Sequence, residues 1–229
     1  MKGKILVVDI GGTHVKLMMW RGQHREFDSG PRMTPEKLVA KIEENAKDWR
    51  FAAVSIGFPA PVRRGCIVRD PKHLGKGWAG FDFKKALKKP VQLINDAAMQ
   101  ALGSYNGGRM LFLGLGTGLG SALVWKKNLL PLELGDLPYR EGDIIENFLG
   151  IPGVERLGEK GWRREVIFAV GQLRKAFIAD YVVLGGGNVH RFTRLPSGVE
   201  RGRNENAFLG GLRLWEVDPR TRHKKWHVL

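Results

Sequence analysis

The sequence predicts an α/β fold of two lobes, each opening on a strand, a glycine-and-threonine turn and a second strand. Three observations carry this expectation. The apolar residues 4–10 run through Asp9 into Gly11, Gly12 and Thr13 and straight on into another strand-like stretch. The same order returns at 109–126 around Gly116, Thr117 and Gly118. Elsewhere, segments with helical apolar spacing alternate with short apolar runs, as in sheets covered by helices.

Taken in order, residues 4–10 read as a buried strand. HVKLMMW at 14–20 follows as its partner, with Val15, Leu17 and Met19 alternating against His14 and Lys16. This disfavours a P-loop or a dinucleotide-binding unit, whose glycines open a helix. A third strand is expected at 23–28, and then a helix over 34–49 with Thr34 as N-cap and Pro35 in its first turn. FAAVSIGFPAP at 51–61 and VQLIND at 91–96 read as strands. AAMQALGSYNGG reads as a helix with a small-residue face that glycines end. RMLFLGL and SALVWKK form the second hairpin, and 131–160 is expected to be irregular. A helix at about 162–176, the strand YVVLGGG at 181–187 and a last helix, ENAFLGGLRLWEV, complete the chain.

At 229 residues and 43% hydrophobic content, the chain can bury a substantial core. Its richest apolar run, 110–125, is broken by four glycines, a threonine and a serine, and is too short to span a membrane. The N-terminus has a basic start but no small-residue cleavage site, so a first strand is expected rather than a leader. One cysteine, Cys66, forms neither an internal disulfide nor a cysteine-rich zinc site, which suits the reducing cytoplasm. The formal net charge of +15 points to polyanionic partners, a membrane surface or heat-adapted charge enrichment. The excess is spread over both halves, with 19 basic against 10 acidic groups in residues 1–106 and 19 against 13 in 107–229. No basic arm of the kind that grips nucleic acid stands out.

D-x-G-G-T at 9–13, N-D-A at 95–97, G-x-G-T-G at 114–118 and L-G-G-G-N at 184–188 together resemble one arrangement. It is that of the actin, hexokinase and heat-shock ATPase superfamily, and within it the ROK family of bacterial sugar kinases. Each motif alone is weak, but order and spacing agree over nearly the whole chain. G-F-P-A-P-V at 57–62 and the closing E-N-A-F-L-G-G match further segments. The short length and the missing cysteine-histidine zinc motif make the chain look most similar to polyphosphate glucokinases. The resemblance implies an actin-like, ribonuclease H-like fold with a central cleft between an N-terminal lobe (1–106) and a C-terminal lobe (107–229). The last helix is a candidate to return to the N-terminal lobe.

The resemblance also assigns roles. Asp96 is the expected general base toward a sugar hydroxyl and Asn95 holds a neighbouring hydroxyl, although an isolated N-D-A more often caps a helix. Asp9 is expected to organise Mg²⁺ and its waters. Gly11, Gly12, Thr13 and Lys16 are expected to receive phosphates from one side, and Gly116, Thr117 and Gly118 from the other. Gly185, Gly186 and Gly187 would border a nucleotide. Ordinary hairpin turns, a solvated lysine and tight strand packing are the plain alternatives for these same residues. On the sugar side, family glucokinases carry E-x-G-H. Here Glu133 is retained and Asp136 stands at the histidine, with a surface turn as the alternative. HLGKGWAGF at 73–81 resembles an asparagine-containing loop, with His73 at the asparagine and Trp78 expected in the core. Carboxylates accept hydrogen bonds but do not donate as a neutral imidazole does, so these two changes point to altered specificity or weakened catalysis.

The expected function is Mg²⁺-dependent transfer of a phosphoryl group from ATP or inorganic polyphosphate to a hexose, with glucose at its 6-hydroxyl the leading acceptor. A strongly cationic chain suits a long polyanion. The resemblance allows a homodimer, since dimers are frequent among relatives, without fixing the oligomeric state, and neither a membrane nor nucleic acid is an expected partner. Two alternatives remain: a non-catalytic sugar-sensing regulator, and another small-molecule kinase of the superfamily. The regulators carry a helix-turn-helix segment ahead of the kinase-like part, for which the position of DIGGT leaves no room.

Overall fold

The computed structural model describes residues 4–203 and 205–229; the basic start at 1–3 lies outside them. The first sheet has the order β3-β2-β1-β4-β7, from β1 (Ile5–Ile10), β2 (His14–Met18), β3 (His24–Asp28), β4 (Ala53–Phe58) and β7 (Val91–Asn95). The three strands β1, β4 and β7 are parallel, and β2 and β3 extend the sheet as antiparallel ribbons. Alternation along β1 explains its continuous apolar run. Leu6, Val8 and Ile10 enter one core cluster, while Ile5 and Val7 enter another on the opposite face. β2 shows the expected alternation, with Val15 and Leu17 buried and His14 and Lys16 exposed.

α1 (Pro35–Asn45) starts where the sequence places it: Thr34 Oγ1 accepts the Lys37 amide and Pro35 occupies the first turn. It ends four residues earlier than expected. Two short strands, β5 (Val62–Arg63) and β6 (Cys66–Ile67), and the short helix α2 (Phe83–Leu87), capped by Asp82, were not expected. The basic run at 83–90 is therefore part helix, with Phe83 and Leu87 buried beneath its lysines.

The second sheet has the order β12-β11-β8-β9-β10-β13, from β8 (Arg109–Leu115), β9 (Leu119–Trp125), β10 (Asn128–Leu132), β11 (Tyr181–Gly185), β12 (Val199–Arg201) and β13 (His227–Val228). Between the two sheets runs α3 (Asp96–Ser104), which packs on β8 and β9, on β4 and β7, and on α6 (Asn206–Arg213). The α3–α6 crossing is backbone to backbone. A Cβ on Gly103 would run into Asn206 O, and one on Gly210 into Met99 O. Arg213 Nη1 closes the crossing by donating to Leu102 O at 2.5 Å and Tyr105 O at 2.9 Å. α6 also touches β1 and β4, where Ser55 Oγ donates to Gly211 O and accepts from Trp215 Nε1. The last helix thus lies against the first sheet.

The expected irregular region is corrected in its second part. α4 (Glu146–Leu149) and the first part of α5 (Ile151–Ala176) cover it, with Pro152 in the first turn of α5. Gly158, with φ 64° and ψ 165°, divides α5 into two helical stretches, so the helix expected at about 162–176 begins just after Gly158 and a separate short stretch precedes it. No helix among the described residues is long and apolar enough to cross a membrane.

Candidate active site

The two glycine hairpins and the head of α3 converge on one cavity of about 550 Å³. The first hairpin, between β1 and β2, is closed by the Gly11 amide on His14 O at 2.9 Å. β3 pins it from behind: Ser29 Oγ donates to Gly11 O at 2.6 Å and the Ser29 amide to Thr13 O at 2.8 Å. The second, between β8 and β9, is held from three sides. Asn188 Nδ2 donates to Gly116 O at 3.0 Å, the Ile151 amide to Thr117 O at 3.1 Å, and the Leu119 amide to Glu146 Oε2 at 3.2 Å. The Gly116 amide turns inward onto Gly114 O and Gly118 O, as the Gly11 amide does onto His14 O, so the expected phosphate roles of Gly11 and Gly116 do not fall on their amides; the amides of Gly12, Thr13, Thr117 and Gly118 remain to face an anion.

Strand register brings the acids together. Asp9 on β1 lies beside Gly57 on β4, Phe58 lies beside Asn95 on β7, and β7 hands directly to α3. Gly57 permits the approach, because a Cβ there would stand 3.3 Å from both Asp9 Oδ1 and Asp96 Cα. Asn95 is the N-cap, its Oδ1 accepting the Ala98 amide at 3.0 Å. Asp96 Oδ1 accepts the Ala97 amide at 2.8 Å. Helix capping and a cavity-facing carboxylate are therefore both present, on adjacent residues.

The electrostatics single out the pair. Burial, and then the neighbouring Asp9 charge, push the Asp96 carboxyl up to about 7. Burial raises Asp9 to about 6 against the pull of Lys16, its cross-strand partner on β2. Partial burial also raises Glu133, opposed mainly by Arg69.

Of the residues anticipated from the sequence, Asp9, Gly11, Gly12, Thr13, Lys16, Asn95, Asp96, Gly116, Thr117, Gly118, Glu133, Asp136, Gly186 and Gly187 all line this cavity. Gly185 does not. It is buried at the end of β11, where a Cβ would meet the Phe112 ring at 2.5 Å, so its place is packing beneath the wall. Gly186 is the position that needs glycine on two counts: its φ is +82°, and a Cβ would lie 2.5 Å from Leu115 O. His73 borders the first hairpin, its Cβ 3.1 Å from where a Gly12 side chain would begin, and Trp78 is fully buried.

Several wall residues carried no signal in the sequence reading. Arg69 Nη2 lies 3.1 Å from Asp136 Oδ2, and Lys72 Nζ lies 2.8 Å from Glu146 Oε1. Asp70 holds the turn behind them, accepting the amides of Gly77, Trp78 and Ala79, which keeps its carboxyl below the usual range. The run R-D-P-K-H at 69–73 is charged enough to notice, yet its partners are about seventy residues away.

Comparison with known proteins completes this picture. The sequence profile of the ROK family matches residues 5–131, more than half of the chain. The chain belongs to the ROK family. The polyphosphate glucokinase of Mycobacterium leprae (strain TN) is 25% identical over 205 residues, covering 81% of this ROK protein and 60% of the relative. That of Mycobacterium tuberculosis (strain ATCC 25618 / H37Rv) is 25% identical over 214 residues, covering 79% and 76%. Among solved structures, the inorganic polyphosphate/ATP-glucomannokinase from Arthrobacter sp. strain KM superposes with a TM-score of 0.77 at 24% identity, covering 91% of this chain and 96% of that one. A ROK family glucokinase from Streptomyces griseus, in complex with glucose and AMPPNP, gives 0.73 at 16% identity, covering 93% and 99%. This ROK protein thus has the actin-like ATPase fold that the motifs led us to expect.

Proposed function

We propose that this ROK protein is a sugar kinase, transferring a phosphoryl group from ATP or inorganic polyphosphate to a hexose, with the glucose 6-hydroxyl as the leading acceptor. The observation that carries the reading is the place of Asp96: a carboxylate raised to about 7, at the head of α3, in the same cavity as two opposed glycine hairpins. A general base works best with a pKa near the working pH. Asp96 takes the proton from the acceptor hydroxyl as its oxygen bonds to the terminal phosphorus and the bond to the leaving phosphate oxygen breaks. Asn95, with Oδ1 engaged in the cap, has its Nδ2 amide to donate to a neighbouring hydroxyl. The amides of Gly12 and Thr13 and of Thr117 and Gly118, with Lys16, receive the phosphate oxygens.

The acceptor end is lined by Glu133 and Asp136, with Arg69 paired to both. Carboxylates with compensated charge accept hydrogen bonds from hydroxyls, which suits a neutral polyol. Among the described residues no group of three or more His, Cys, Asp or Glu is arranged to hold an ion. A single strand-end carboxylate nevertheless fits Mg²⁺, which keeps several waters and takes one or two protein carboxylates plus substrate phosphates. Asp9 would hold it through those waters, and the ion, when bound, supplies charge neutralisation on the phosphate oxygens. Relatives named for polyphosphate and the net charge of +15 both support a polyanionic donor.

The test crosses a panel of hexoses with ATP and polyphosphate in the presence of Mg²⁺, with Asp96→Ala as the control. Sugar phosphate should form with at least one pair and fall roughly 10²–10⁴-fold in the variant. Undiminished transfer by Asp96→Ala would reject the base assignment, and no transfer with any pair would reject the kinase reading.

A further inference from the structure

The segment 69–73, between β6 and α2, is anchored in the first half of the chain. Asp70 accepts three amides of the 77–79 turn, Leu74 is buried, and the Gly75 amide donates to Met33 O at 2.9 Å. Its two cations nevertheless reach across the cavity into the second half. Arg69 meets Asp136 at 3.1 Å and Glu133 at 4.0 Å, and Lys72 meets Glu146 at 2.8 Å and Asp136 at 3.6 Å.

Glu146 is what makes the second contact consequential. One carboxylate oxygen takes the Lys72 ammonium, and the other accepts the Leu119 amide at the exit of the second hairpin. That carboxylate fills the space where a side chain on Gly118 would begin. On the other side, His73, next to Lys72 in the chain, packs against Gly12 of the first hairpin. A continuous run of contacts therefore joins the two hairpins: Gly12, His73, Lys72, Glu146, Leu119.

We propose that Lys72 is a positioning residue: by holding Glu146 it sets the second hairpin against the first, so that both present their amides to one donor. This rests on the phosphoryl-transfer reading above. It also gives Asp136 a role that differs from the histidine expected there, because its carboxylate is occupied by Arg69 and Lys72 as the outer part of the same tie. Half-exposed ion pairs of this kind contribute little to overall stability. Their effect falls on geometry, and small misplacement of reacting groups costs up to about 10²-fold in rate.

Four variants test the tie, assayed with the donor that the wild-type protein uses: Lys72→Met, Glu146→Gln, the double variant and Lys72→Arg. Glutamine keeps an oxygen for the Leu119 amide while removing the ion pair. Lys72→Met and Glu146→Gln should each lower kcat/KM for the donor by about 10–100-fold. The double variant should be no worse than the worse single one, because both remove the same interaction. Lys72→Arg should recover most of the loss. Multiplying losses in the double variant, a change confined to the sugar KM in Lys72→Met, or wild-type kinetics in Lys72→Met would overturn the proposal. Hydrogen exchange of a peptide covering 115–123, measured without substrates, reads the tie independently of turnover. Exchange should be faster in Lys72→Met than in wild type, and unchanged exchange would also overturn it. Faster exchange in a protein that phosphorylates no sugar would leave the tie standing and remove the kinase reading.

Discussion

Replacing Asp96 by asparagine should make the protein more stable and nearly inactive. A carboxyl that titrates near 7 in the fold and near 3.8 in the open chain is held ionised at a cost of about 4 kcal/mol. The sign follows from proton counting. Between those two values the folded state binds more protons than the unfolded one, so stability falls as pH rises from 4 to 7 and is level above. Asparagine removes this penalty while keeping an oxygen for the Ala97 amide. The folded value already contains the favourable pull of the helix start on the charge, so the whole of this is regained, and about 4 kcal/mol corresponds to a rise in Tm of roughly 8–16 °C for a chain of this length. Thermal melts of both proteins in EDTA, from pH 4 to pH 8, are the assay. The gain should be full at pH 8, about half present near pH 5.5 and absent at pH 4. Phosphoryl transfer should meanwhile fall by roughly 10²–10⁴-fold. An Asp96→Asn protein that melts at or below the wild type at pH 8, or a gain that persists unchanged to pH 4, would refute the reasoning.

Other expectations concern the supports of the site. Gly210→Ala should destabilise by about 1–3 kcal/mol or more, because the new Cβ runs into Met99 O in the α3–α6 crossing, and circular-dichroism melts will show it. An unchanged Tm would mean that the crossing yields. Gly186→Ala places a side chain at φ +82° and 2.5 Å from Leu115 O, so it should cost about 1–3 kcal/mol or more and weaken donor binding measured by calorimetry. Asp70 is held below the usual carboxylate range by the three amides it accepts, so its contribution is whole above that range and lost as pH falls through its lowered value. Asp70→Asn should lower Tm at pH 7, raise the sugar KM and flatten the acid side of the stability profile. The wild-type kcat/KM should fall about tenfold per pH unit below 7, with apparent values that belong to the Asp9–Asp96 pair jointly.

What could be read ahead of the structure was what short-range patterns carry. Alternation around Val15 and Leu17 and the glycines at 11–12 and 116–118 fix both hairpins within a dozen residues each. Thr34 and Pro35 fix the start of α1 in the same way. The helical stretch from Ile151 was hidden because Pro152 and Gly153 read locally as breakers, and Gly158 does break the path. The stretch stands because Val154 packs in one cluster with Phe148, Leu149, Trp162 and Val166, which overrides local preference before Gly158. The ion-paired wall was hidden for a different reason. Arg69 and Lys72 find Asp136 and Glu146 67 to 74 residues away, and no local pattern encodes such a pairing.

The N-D-A segment shows how two readings of one motif can both hold. An aspartate in the first turn of a helix ordinarily titrates low, because amide donors and the helix dipole favour its charge. Asp96 does accept the Ala97 amide, yet burial and the Asp9 charge outweigh that bond and its carboxyl moves upward. The division of labour with Asn95 makes this tolerable. Asn95 satisfies the Ala98 amide as the cap, so the helix start does not depend on Asp96 being ionised. Asp96 can then exist protonated or ionised without unravelling α3, as the general-base role proposed for it requires.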